Sequence, residues 1–85
     1  MKKFLITLKV RCGEYEFKPK CVRQAKTQAE ANIIATRRAR HFYGNADKGS
    51  SKETGFYFNR GEVCVQVDMV REISLDEFNV LEKHL

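Results

Sequence analysis

An α+β fold is what this 85-residue sequence predicts, and three observations predict it. Apolar and polar residues alternate over Phe4–Cys12. Two segments, Thr27-Gln28-Ala29-Glu30 and Ser74-Leu75-Asp76-Glu77, have the spacing of helix capping boxes. The apolar segments run strand, strand, helix, strand, strand, helix. Two hairpins in that order make a four-stranded antiparallel sheet with both helices on one face, a two-layer sandwich. The length gives a single domain, residues 1–85, with a core at the small end of what folds alone.

The first strand puts Phe4, Ile6, Leu8, Val10 and Cys12 on one face and Lys3, Leu5, Thr7, Lys9 and Arg11 on the other. Gly13-Glu14 then fits a two-residue type II′ turn, with Gly first. That turn sets Cys12 opposite Tyr15, Arg11 opposite Glu16 and Val10 opposite Phe17. Pro19 has no donor N–H, so the second strand is an edge strand or is bulged there.

The first helix opens at Thr27 and carries an apolar stripe of Ala31, Ile34, Ala35, Ala39 and Phe42. Arg37, Arg38, Arg40 and His41 crowd its last turns, where positive charge meets the negative end of the dipole. Gly44 stops it. Residues 44–54 read as a polar surface loop with nothing to bury. Phe56-Tyr57-Phe58 begins a third strand, and Asn59-Arg60-Gly61-Glu62 turns it. In the fourth strand Val63, Val65, Val67 and Met69 alternate with Cys64, Gln66, Asp68 and Val70. Ser74 caps a last helix, whose stripe of Phe78, Leu81 and Leu85 should seal one end of the core, with Ile73 and Phe78 spaced as a hydrophobic staple.

Composition narrows the partners. Residues 1–52 hold 13 Lys and Arg against 4 Asp and Glu, whereas residues 53–85 hold 3 against 7. Such asymmetry steers acidic molecules toward one part of a surface. No apolar run approaches the roughly 20 residues that span a bilayer. The basic opening is cut short by Lys9 and Arg11, unlike a signal peptide, so the expected location is cytoplasmic, with no membrane partner. Three cysteines without a Cys-x-x-Cys pair argue against a disulfide framework or a zinc site, and no cofactor is expected. Alternation predicts Cys12 and Cys21 buried and Cys64 on the sheet face opposite Val63 and Val65.

Two basic surfaces stand out. Lys9, Arg11, Lys18 and Lys20, with Lys3, share the open face of the first hairpin and suit a row of phosphates. The same pattern also serves a solvated sheet face whose lysines discourage edge pairing. Arg37 and Arg40 project from the end of the first helix beside Phe42 and Tyr43, as arginines and rings do where nucleic acid is gripped and stacked. Arg38 falls within the apolar stripe and can lay its stem along the core. Gly44 to Ser51 resembles a phosphate loop but lacks its lysine and its strand-to-helix context. No carboxylate pair and neither histidine has the setting of acid–base chemistry, so no catalysis is expected.

The opening Phe4–Val10, the hairpin to Phe17 and Thr27-Gln28-Ala29-Glu30-Ala31 at the helix start give a layout that resembles small accessory proteins of phages and mobile elements. Some of these are anti-CRISPR and other anti-defence inhibitors. The resemblance implies action by binding a protein. The charge instead predicts a non-catalytic module whose basic half binds nucleic acid weakly and without sequence preference, through Lys9, Arg11, Lys18, Lys20, Arg37 and Arg40. A protein-binding inhibitor or adaptor that docks on an acidic protein patch is the alternative. A homodimer that pairs oppositely charged halves is a third reading.

Overall fold

The computed structural model describes residues 1–51 and 54–83. Its elements are β1 (Lys2–Cys12), β2 (Tyr15–Phe17), β3 (Lys20–Ala25), α1 (Gln28–Arg40), β4 (Phe56–Phe58), β5 (Val63–Ile73) and α2 (Leu75–Glu82). All strand pairings are antiparallel, in the order β2-β1-β5-β4, with β3 also on β1. The sheet therefore has five strands rather than the four expected. Proline is the reason: β2 pairs with Val10–Cys12 and β3 with Lys2–Thr7, both along the same side of β1. Between them the Leu8 N–H donates to the Pro19 carbonyl at 3.0 Å, a bond that does not require the N–H proline lacks. The single predicted edge strand is thus one lane broken at Lys18-Pro19.

The first hairpin has the predicted register, with Cys12 opposite Tyr15, Arg11 opposite Glu16 and Val10 opposite Phe17. Gly13 has φ +62°, which the first position of a type II′ turn demands. Thr27 Oγ1 accepts from the Glu30 N–H at 3.1 Å and starts α1. Ala31, Ala35 and Ala39 are buried, so the helix sits close on the sheet. They pack against Phe4 and Ala25 at one end and Ile6, Leu8, Val10, Phe56, Phe58 and Val65 along the rest, forming the core.

The helices do not share a face. The Lys3 ammonium stands 4.3 Å from the centre of the Phe78 ring, and Arg71 Nη1 meets Glu77 Oε2 at 3.1 Å. Lys3 and Arg71, through its pairing with Leu5, belong to the face that points away from α1. Leu5 and Ile73 on that face are buried yet lie outside the α1 core. The expectation of both helices on one face is corrected accordingly: α2 folds back over the opposite face, at the Lys3–Leu5 end. Its cause is the phase of β5. Ile73, paired with Lys3, points to the far side, and the chain turns into α2 one residue later. Ser74 accepts the Glu77 N–H at 3.1 Å, so the cap forms as expected, while the Glu77 carboxylate goes to Arg71. Phe78 and Leu81 are only half-buried; Leu85 lies outside the described residues.

A bulge causes that phase. Thr7 pairs with Met69 but Leu8 with Val67, leaving Asp68 unpaired. Beyond it the alternation reverses. Val70 faces α1 and packs into the core, and Met69 is exposed, opposite to the assignment from strict alternation. The loop after α1 also differs from expectation. Ala46 packs against the core, the Asp47 N–H donates to the Tyr57 carbonyl at 2.7 Å, and the Tyr57 N–H donates to Ser50 Oγ at 2.9 Å. The polar segment occupies backbone groups of β4 that would otherwise form an open edge.

Cys64 lies on the face opposite Val63 and Val65, paired with Arg11 and Tyr57. Cys21 is half-buried, but Cys12 is exposed, because it sits at the strand end beyond the reach of α1. Thiol titration of the native protein should therefore label Cys12 first and Cys21 more slowly. Slow labelling of Cys12, at the rate of Cys21, would mean that the hairpin end is covered.

Candidate nucleic-acid interface

The six predicted contact residues divide between two faces of the sheet. Lys9 and Arg11 belong to β1, Lys20 to β3 and Lys18 to the link between β2 and β3, all on the face away from α1. Arg37 and Arg40 project from α1 on the other side. One surface cannot present all of them to one ligand.

The sheet-face set is partly neutralised from within, two carboxylates standing against its four cations. Glu16 Oε1 lies 3.5 Å from Lys9 Nζ and 3.3 Å from Arg11 Nη2, because the II′ turn puts Glu16 across from Arg11. The hydrogen bond from Arg11 holds the Glu16 carboxyl below its ordinary range, helped by the charge of Lys9 against some desolvation. Lys18 Nζ lies 3.6 Å from Oδ2 of Asp68, the residue that the bulge leaves without a partner on β1. These exposed pairs add little stability, but each cancels charge that a phosphate would need. Lys20 makes no ion pair among the described residues.

The other side is different. His41 caps α1, its N–H donating to the Arg37 carbonyl at 3.2 Å. Gly44, at φ +94°, lets the chain reverse, and the Gly44 N–H donates to the His41 carbonyl at 3.3 Å. This tight exit lays Phe42 on the core and leaves Tyr43 half-exposed. The Tyr43 ring stands edge-on to Phe42 at 4.7 Å and to Phe58 at 5.8 Å. Between α1 and the β3 edge opens a cleft of about 400 Å³, lined by Arg23, Ile34, Arg37, Arg38, His41 and Phe42. No acidic side chain lines it, and none of its arginines has an ion-pair partner among the described residues. Arg37 and His41 also face a second hollow on the far flank of α1, shared with Arg40, Asn32 and Thr36. Arg40 stacks its guanidinium 5.5 Å from the Phe56 ring centre, which spends part of its reach on the protein itself.

Two residues of this cleft escape a reading of contact candidates from sequence. Arg38 falls in the apolar stripe, yet its side chain is exposed at the rim. Arg23 is separated from Arg37 by 14 positions in the chain, and only the pairing of β3 with β1 brings it to the cleft beside the helix. The signal was present in the alternation of Cys21, Arg23 and Ala25, which puts all three on the helix-facing side. What alternation lacks is the direction in which α1 crosses the sheet.

Among the described residues no helix is long and apolar enough to cross a membrane. Compared with known proteins, the chain matches no family model, no curated protein and no solved structure.

Proposed function

We propose that this protein is a non-catalytic binding module that engages a polyanion, above all nucleic acid, through its basic N-terminal half. The observation that carries this reading is the cleft between α1 and β3, where Arg23, Arg37, Arg38 and His41 stand without an acidic neighbour in the lining. The arginines that share this cleft repel one another, and an incoming phosphate relieves that repulsion while releasing its own counterions. Guanidinium groups from a strand and a helix also offer forked donors from two walls, which suits phosphate geometry. Arg40 extends the positive field along the far flank of α1. Lys20, with Lys9, Arg11 and Lys18 once their carboxylate partners are displaced, acts as a secondary surface on the other face of the sheet.

Binding of a fluorescent oligonucleotide across a salt series tests this. Contact by about four cations should make affinity fall at least tenfold between about 50 and 200 mM salt. Absence of binding to any nucleic acid at low salt would sink the reading and favour a protein-binding inhibitor or adaptor.

A further inference from the structure

We infer that the α1–β3 cleft takes single-stranded rather than duplex nucleic acid, with bases stacked against the aromatic end of α1 and phosphates held at the arginine rim. This deepens the polyanion reading and rests on it. Three features lead to it.

First, the floor of the cleft is apolar. Half-buried Ile34 and Phe42 lie between the cationic walls. A duplex buries its bases and offers phosphates to a protein surface, so an apolar floor would meet nothing it could desolvate. An unpaired strand has base faces free to fill it. Second, an exposed ring adjoins the Phe42 end of that floor, outside the residues that line the cleft and on the side toward β4. Tyr43 is 55% exposed although Phe42 and Phe58 hold its edge-on geometry. A ring fixed by its neighbours but open on a side is a stacking platform whose conformational freedom is already restricted. Phe17, 45% exposed, lies on the same side of the sheet. It pairs with Val10, at the end of the sheet toward which the last turns of α1 run. Third, the cations are on two elements. Arg23 rises from the β3 edge, and Arg37 and Arg38 from α1. They flank an open cleft of about 400 Å³. Cations on two elements can follow the flexible backbone of a single strand, whose phosphates are not held at the fixed spacing of a duplex.

The test compares a labelled oligothymidylate of about 15 nucleotides with a mixed-sequence duplex of the same length, by fluorescence anisotropy at low salt. The single strand should bind at least about tenfold more tightly than the duplex, because stacking adds to a phosphate term the two have in common. Tyr43→Ala should weaken single-strand binding about five- to hundredfold, with the salt slope unchanged, and Tyr43→Phe should bind as the parent does. Arg23→Ala should lower the single-strand salt slope by about 0.7. Tyr43→Ala also removes a contact to Phe58, so a second readout keeps the inference open to refutation. Binding of the parent protein should quench tyrosine emission, and most of that quenching should vanish in Tyr43→Phe, which keeps the ring and the fold. Duplex bound as tightly as the single strand, or quenching unchanged in Tyr43→Phe, overturns the inference and leaves the polyanion reading standing. Loss of binding to both oligonucleotides overturns the two together.

Discussion

Replacing Phe4 with alanine should cost about 3–5 kcal/mol of stability, against about 1–2 kcal/mol for Phe78→Ala. Phe4 is 1% exposed and joins β1 to Ala25 of β3 and Ala31 of α1. Its removal opens a cavity between three elements, and the alanines that contact it are too short to fill the space. A domain of this length has about 4–13 kcal/mol in all, so Phe4→Ala leaves little or nothing. Phe78 is half-buried and lies beneath the Lys3 ammonium on the opposite face. Part of its ring is in water already, so truncation returns less apolar surface to solvent. Urea melts of the two variants measure the difference in midpoint. Equal losses would mean that α2 belongs to the core as firmly as α1 does. No loss in Phe78→Ala would mean that α2 contributes only local order.

The second large effect separates the two basic faces. Alanine at Arg23, Arg37 and Arg38 together should weaken oligonucleotide binding about a hundredfold at about 0.1 M salt, since each lost phosphate contact removes about 0.7 of a logarithmic unit there. Alanine at Lys9, Arg11 and Lys18 together should weaken it less than about fivefold, because those cations already share Glu16 and Asp68. All six side chains are at least partly exposed, and none belongs to the core clusters, so both triple variants should fold. The reverse order of effects would move the interface to the open sheet face. A Glu16→Gln variant then offers a direct check on screening. It releases Lys9 and Arg11 from a full negative charge, and binding through the sheet face should strengthen as a result.

Much of this fold is legible in the residues because its signals are local. Alternation over Phe4–Cys12, the Gly13-Glu14 turn and the Thr27 and Ser74 caps each depend on a few neighbouring residues and on short-range sterics or hydrogen bonds. These decide which segments become strand or helix, and they decide the register of the first hairpin. They also identify Arg37 and Arg40 as cations that project from the end of α1.

What local signals do not carry is phase over distance. One unpaired residue, Asp68, reverses the alternation of β5 and sends Ile73, and with it α2, to the far face. A bulge is favoured by the packing of both strands against their neighbours, and no residue in Val67-Asp68-Met69 announces it. Strand pairing likewise brings Glu16 to Lys9 and Arg11, and Asp68 to Lys18, so that a strongly basic strip in the sequence is partly neutral in space. Charge in a sequence adds up by residue, whereas the field at a surface depends on separations of a few ångströms. The sequence by itself determined the two helices with their caps, the hairpin register and the excess of positive charge in the first half, but not the division of the second strand into β2 and β3. Only the tertiary structure decided which of those charges are paired, because pairing depends on contacts such as Glu16 with Lys9 and Asp68 with Lys18 that alternation and helical spacing do not encode.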